Sequence, residues 1–475
     1  MTGFGLQPFG VSLFGQGVTD LPTLVATEPG APYLAVDVLP DNVPGTFALD
    51  QSELDGEDLL GWGMDGWLNV VCDVQSVEVT RGATRLQGPL TRTEAGTCSV
   101  RLSDTDRRFD PTLNADAVRP GTPVRLRAWN DGADGLDPWD AVLFTGRIGA
   151  DSLTVQYLQE EPPAVTFTAV DAVGTLAQYV SLGRPDPGAG AGDNLLGRVG
   201  RVLTETGSSI AVAVDSDAAY VATMPASALA RGWVDVTAAA DAELGRVWVS
   251  AANALVVRAR GSALSGPVRG TLSDLHGEQV AGSPHCCYRE PVVRMGTEML
   301  ANRGIGSRRV PGLSGGGTPP VSAVVQVDDT YSQARWSAGV PVTYEERALE
   351  LETDEQIRPW AEWLVLNASE PELRVDRVTP APGETDAEAW RALCLTDVGD
   401  RWYYRLRPQV GPVVAFTLGV LGLVHRITPA GWETTWYTET APTPGDENPS
   451  GWFVLDLSYL DGGDVLAPFG GAVPA

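Results

Sequence analysis

The feature that most narrows what this chain can fold into is a two-residue hydrophobic period recurring between residues 66 and 170. In VRLRAW, Val124, Leu126 and Ala128 alternate with Arg125, Arg127 and Trp129, and in VTFTAV, Val165, Phe167 and Ala169 alternate with Thr166, Thr168 and Val170. Successive side chains of a strand point to opposite faces, so this pattern predicts half-buried strands. SVEVTRG (76–82), CSVRLSD (98–104), AVLFTGRI (141–148) and SLTVQY (152–157) add further short segments of the same kind. Strands this short, separated by turn residues, predict an antiparallel barrel or sandwich. The 54 Gly and 35 Pro of the chain suit such a fold. DAVGTLAQYV, which continues from residue 170, predicts a short closing helix.

The organisation then changes. SLGRPDPGAGAGDN (181–194) is a loop by composition. LLGRVGRVLTETG places Leu195, Leu196, Val199, Val202 and Leu203 on one helical face, with Gly207 where a C-cap belongs. A second helix is predicted near 236–245, and RVWVSAANALVVRAR (246–260) reads as strand, turn and strand. VPGLSGGGTPPVS (310–322) has linker composition. After it come the strand AVVQVDD and the helix TDEQIRPWAEWLVLNAS, where Thr353 and Gln356 have capping-box spacing. Pro359 would clash in a helix begun at 354, so a later start or a kink is expected. Strands are expected around 402–408, 414–428 and 432–439, enough for a second β-rich core.

A chain of 475 residues is too long for one core, and its 43% hydrophobic and 20% charged content is that of a folded protein. No stretch approaches the roughly 20 apolar residues of a membrane-spanning helix. The opening MTGFGLQPFGVSLFGQG has no basic n-region and does not read as a signal peptide, so folding in a cytoplasm is expected. All 33 basic residues are Arg, and the net charge is −28. The net negative charge is concentrated at the ends: the first base is Arg81, and none follows Arg426. Such a chain repels phosphate, which argues against sequence-independent nucleic-acid binding. Five scattered cysteines (72, 98, 286, 287 and 394) do not make a disulfide framework.

Candidate chemistry is sparse. In SDTDRRFDPTLN, Asp104, Asp106 and Asp110 invite a calcium-loop reading. Counting from Asp104, however, Arg108, Phe109 and Ala115 occupy positions that need an oxygen ligand, Gly and Glu. Turn chemistry accounts for these acids better. HCCYRE (285–290), with His276 upstream, lacks the paired ligand spacing of structural zinc, and a site would have to borrow Cys394 or His425. Three histidines leave few general bases, and no H-E-x-x-H or P-loop is present. A two-carboxylate glycosidase is left open by 61 acids, and a sugar cleft by 14 Trp, although Trp62, Trp67, Trp129 and Trp432 lie in or beside strand patterns. No catalytic, cofactor-binding or metal-ligating residue is expected.

AGTCSVRLSDTDRRFDP, followed by RPGTPVRLRAW, LFTGRI and VTFTAVDAVGTLAQ, resembles the minor tail proteins of long-tailed actinobacteriophages, specifically the central tail-tip (baseplate) hub. GRVWVSAANALVVRAR, YSQARWSAGVP, PWAEWLVLNASEPELRV and VLGLVHRITPAGWETTW extend the resemblance, in order, over about 70–440. It implies a mainly β fold with α+β parts, in which two barrel-like tail-hub domains are joined by smaller α/β middle domains. The expected division is a Phe-Gly-containing acidic arm (1–62), a first barrel (63–182), middle domains (183–310), a Gly/Pro linker (311–320), a second barrel (321–440) and an acidic tail (441–475). That tail is too short for the hydrolase or receptor-binding extensions of some family members.

The resemblance further implies a non-enzymatic structural protein without cofactors, forming a homotrimeric, pseudo-sixfold ring that caps the tail tube. Its partners would be the distal tail or tube ring, the tape measure protein, and other tail-tip or fibre proteins. DNA would pass without specific binding, and the host cell surface would be a possible contact. The location would be the virion tail tip, after assembly in the host cytoplasm. Arg125 and Arg127 would face a subunit partner or the lumen. The competing readings are a hexameric distal tail ring, and a carbohydrate-binding or cell-wall-degrading tail protein.

Overall fold

The computed structural model describes residues 32–39, 67–84 and 92–441, the last with breaks at 106, 108, 114–117, 131–136, 158–162, 181–189, 215–219, 227–230, 261–264, 276–283, 290–291, 311–321, 372 and 384–385. The 311–320 linker, His276, Trp62, most of the 1–62 arm and the tail after Ala441 therefore lie outside the described residues.

The first lobe contains β1 (Tyr33–Val38), β2 (Leu68–Asn69), β3 (Val74–Gly82), β4 (Glu94–Ser103), β5 (Pro123–Asn130), β6 (Trp139–Ile148), β7 (Thr154–Gln156) and β8 (Ala164–Val170). They pair in the order β2-β1-β5-β6-β8-β4-β3, with β7 beside β8. The two-residue period does what it predicts: along β5 the even-numbered Val124, Leu126 and Ala128 are buried and the odd positions are partly exposed. β6 breaks the alternation at Leu143 and Phe144, both buried, because a bulge opposite Leu126/Arg127 places an extra residue on that strand. Leu102, Leu126, Phe144 and Phe167 fill the interior, each contributing about 1.5–3 kcal/mol by burial. β1 falls inside the segment read as an arm. It pairs with β5 from Tyr33 opposite Trp129 to Val38 opposite Val124, and it puts Leu34, Val36 and Val38 in the core.

Helix α1 (Ala172–Gln178) starts at Asp171, whose carboxylate accepts from the Val173 and Gly96 amides and so ties the helix to β4. α2 (Leu195–Thr206) is capped by Asn194 and ends at Gly207, which adopts the left-handed φ of 63° that a C-terminal glycine permits. β9 (Val212–Val214), α3 (Gly232–Glu243), β10 (Arg246–Val249) and β11 (Leu255–Arg258) follow, then β12 (Val268–Ser273), β13 (His285–Arg289), β14 (Val293–Met295), β15 (Arg303–Arg308) and β16 (Val325–Asp328). α4 (Thr330–Trp336), β17 (Thr343–Leu349), α5 (Ile357–Ala368) and β18 (Leu373–Val375) complete this stretch.

The Thr353/Gln356 capping box is present, and a 3-10 turn at Asp354–Gln356 delays α5 to Ile357. Pro359 then lies in the first helical turn, where no amide is needed. Residues of α2, α3, β11 and α5 share one core, and the Trp360 indole donates to the Asp241 carbonyl at 2.9 Å. Residues 325–368 thus pack on the middle helices.

The second lobe adds β19 (Arg377–Ala381), α6 (Ala387–Leu395), β20 (Arg401–Leu406), β21 (Val414–Thr428) and β22 (Gly431–Ala441). With β12 and β13 they close a six-stranded barrel, β21-β20-β12-β13-β19-β22 and back to β21. Its strands therefore come from both sides of the 311–320 segment. Trp402 and Trp436, inaccessible and with ring centroids 5.0 Å apart, fill the interior. Trp402 donates to Thr396 Oγ1 at 3.1 Å, just beyond α6, which packs on β12 and β13 of this lobe and β6 of the other.

One strand joins the lobes. β21 pairs with β22 for most of its length and with β20 through its first half, and from Gly422 to Ile427 it pairs with β3, Gly82 to Val77. The result is a continuous sheet and one contiguous core beneath it. Gly82 and Gly422 face each other at the crossing. A Cβ on either would lie 2.2 Å from a backbone carbonyl of the opposite side, and Gly82 also needs φ +75°. The fold is the mainly β architecture with α+β parts that the sequence led us to expect.

Candidate functional site

The acidic turn after β4 is held by its own backbone. Asp104 is inaccessible and accepts from the Phe109 amide with both oxygens, at 3.1 and 3.2 Å. Asp110, also inaccessible, accepts from the Thr112 amide (2.9 Å) and hydroxyl (2.6 Å), the Tyr157 hydroxyl (2.8 Å) and the Arg107 guanidinium (2.5 Å). The Thr112 hydroxyl and these further donors hold its carboxyl far below the usual range. Asp106 lies outside the described residues. Among the described residues, no group of three or more His, Cys, Asp or Glu is arranged to hold a metal ion.

HCCYR forms β13 of the second barrel. Cys286 is buried and Cys287 is half-buried, on opposite faces as a strand requires. Burial pushes the thiols of Cys98, Cys286 and Cys394 up, that of Cys98 to about 12, which leaves them poor nucleophiles at neutral pH. His425 is buried in β21, with Nδ1 2.9 Å from Thr434 Oγ1 and receiving the Trp432 indole at 3.3 Å. Burial, with a smaller push from the Arg81 charge, lowers it to about 3. Among the described residues, Cys286, Cys394 and His425, which a zinc reading would have had to combine, are not grouped into one site.

Arg125 and Arg127 turn to a residue the sequence reading did not single out. Both reach the carboxylate of Asp37 in β1, at 3.1 and 2.8 Å; Arg127 also reaches Asp140 at 2.7 Å, and Arg125 lies 4.5 Å over the Trp67 ring. The one signal in the sequence was an acid interrupting the apolar run YLAVDVL.

Other ion pairs fasten the lobes to the middle. Arg81 of β3, 2% exposed, meets Asp397 at 2.7 Å, and the second oxygen of Asp397 accepts from the Ala251 amide of the β10–β11 turn. Arg246 of β10 meets Glu439 of β22 at 2.5 Å, and Arg92 meets Asp241 at 2.6 Å.

The outer face of the second barrel carries a recess of about 300 Å³ across β13, β19, β22 and β21. Its cations are Arg289, Arg377 and Arg426, and Thr379, Thr435 and Tyr437 add hydroxyls. These side chains point outward because their neighbours Val378, Thr434 and Trp436 point inward.

No protein-family model matches the sequence, and no curated protein matches it. Solved structures share its fold. A tail protein from Neisseria meningitidis MC58 is similar over 86% of this chain and 95% of its own, at 10% identity and a TM-score of 0.50. The 43 kDa tail protein of prophage MuSo2 from Shewanella oneidensis is similar over 79% and 95%, at 11% identity and a TM-score of 0.49. The E. coli c3393 protein, a type VI secretion component described as structurally similar to the T4 tail proteins gp27 and gp5, is similar over 78% and 74%, at 10% identity and a TM-score of 0.40. At such identity the Neisseria structure speaks to fold alone, and the other two, below 0.5, carry no argument.

Proposed function

We propose that this chain is a non-enzymatic structural component of a bacteriophage tail tip. In this reading it is the baseplate hub, a homotrimer that caps the tail tube and gives passage to DNA. The observation that carries the proposal is the pair of β lobes, one of eight strands and one a six-stranded barrel, fused by β21 into one sheet, in a fold shared with a tail protein over 86% of the chain. Two β lobes per chain would let three copies present six surfaces to a sixfold tube. The partners are the adjoining distal tail or tube ring, the tape measure protein, and tail-tip or fibre proteins, assembled in the host cytoplasm and carried in the virion.

The charge suits the role. Three copies would carry roughly −84, three times −28, and acids lining a channel would repel a moving genome rather than retain it. Within the chain, the ion pairs of Arg125 and Arg127 hold the first lobe together. Native mass spectrometry of the expressed chain with its neighbouring tail proteins tests the proposal. Three copies of the 50.2 kDa chain per assembly are expected. Six copies would favour the distal ring, and a monomer that clears peptidoglycan in a zymogram would overturn the structural reading.

A further inference from the structure

We propose that the recess on the outer face of the second barrel is a docking site for an extended acidic polypeptide segment of a partner protein. The argument begins with charge. The chain has 61 acids for 33 Arg, so most of its arginines can find a carboxylate. Arg426 has Glu78 at 3.5 Å and Glu433 as cross-strand neighbour. Arg289 and Arg377, exposed on the adjacent strands β13 and β19, have no ion pair among the described residues. Two guanidinium groups with no ion pair among the described residues thus share one concave wall.

Spacing selects the class of ligand. The strand order β13-β19-β22-β21 sets the strands of Arg289 and Arg426 three steps apart, roughly 14 Å at ordinary strand spacing. A single small anion cannot span that distance. Carboxylates at alternate positions of an extended peptide recur every ~7 Å, which fits the span with two or three side chains. Guanidinium groups bind carboxylates through paired hydrogen bonds, and Thr379, Thr435 and Tyr437 offer hydroxyls to a peptide backbone. A nucleic acid suits the site less well. Among the described residues that line it, Tyr437 is the one aromatic ring, which gives successive bases no stacking platform. This inference stands apart from the trimeric-hub reading and survives its failure.

The test uses the full chain and a fluorescein-labelled decapeptide of alternating Glu and Thr, followed by fluorescence anisotropy. Saturable binding is expected, weakened at least tenfold in the Arg289→Ala/Arg377→Ala double variant and by raised salt. It should be unchanged in Arg358→Gln, which alters an exposed arginine on α5, and oligothymidine and inorganic phosphate should compete poorly. Because both altered arginines are exposed, an unchanged circular dichroism spectrum should accompany the loss. No saturable binding, undiminished binding by the double variant, or oligothymidine competing as well as unlabelled peptide would each overturn the proposal.

Discussion

Arg81 and Asp397 meet at 2.7 Å where three parts of the molecule converge: the first lobe's β3, the loop before β20, and, through the Ala251 amide, the middle unit. Arg81 lies almost wholly out of solvent, and Asp397 is about a quarter exposed. Asp397→Asn removes one partner and leaves a buried cation facing a neutral amide. Breaking a buried pair costs about 3–5 kcal/mol, and the partial exposure of Asp397 puts the expected loss near the low end. Chemical denaturation of the variant should show an earlier midpoint.

The facing glycines at the lobe junction make a sharper prediction. Gly422→Ala drives a methyl group into the Ala83 carbonyl with no flexible neighbour to yield. The β3–β21 ladder must then part, or the strand must shift. A loss above about 2 kcal/mol is expected, with poor recovery of soluble protein. Gly200→Ala, on an open helical surface of α2, should leave stability unchanged or raise it by up to about 1 kcal/mol. Thermal melts of the two variants side by side provide the check.

Asp171 predicts a pH dependence. Burial raises its carboxyl to about 6 despite the amides of Gly96 and Val173, so the folded state binds its proton more tightly than the unfolded chain does. The associated stability is fully present below pH 3.8 and is lost as pH rises through about 6, on the order of 3 kcal/mol. Asp400, also raised to about 6 by burial, adds in the same sense. Asp171→Asn should flatten the slope of stability against pH between 4 and 6.5, whatever constant offset it adds.

His425 acts in the opposite sense. Its folded-state value of about 3 lies below the ordinary 6.5, so its contribution is complete above pH 6.5 and is lost on acidification toward 3. The loss is on the order of 4–5 kcal/mol across that window. His425→Asn keeps a polar group near Thr434 but does not titrate, and it should remove this part of the acid sensitivity. Denaturation curves from pH 3 to 7 distinguish it from the Asp171 effect by sign.

The Asp37 cluster predicts a local effect. Asp37→Asn leaves Arg125 and Arg127 crowded without their shared carboxylate and should loosen β1 by about 2–3 kcal/mol. Hydrogen exchange should accelerate at the β1 amides bonded to β5, while those of β11 keep their protection.

Much of this fold was legible in the sequence because burial follows a strict period where one face meets the core. β5 and β8 alternate at the residues expected, α2 ends at Gly207, and the Thr353/Gln356 box caps the 3-10 turn that leads into α5. β12, β13 and β15 were hard to read because they are short and weakly apolar, their faces set by distant partners; β12 lies parallel to β20, more than a hundred residues on. The same non-locality hid Asp37 and the three-arginine recess. No spacing within one strand reveals side chains that come together only when four strands lie side by side.

Because β21 is built into both lobes at once, the molecule has no pivot between them. Tilting one against the other would tear the Val77–Gly82 ladder from its partner strand and open the core beneath it. A load placed on one lobe is therefore handed to the other through this shared strand rather than absorbed by a hinge.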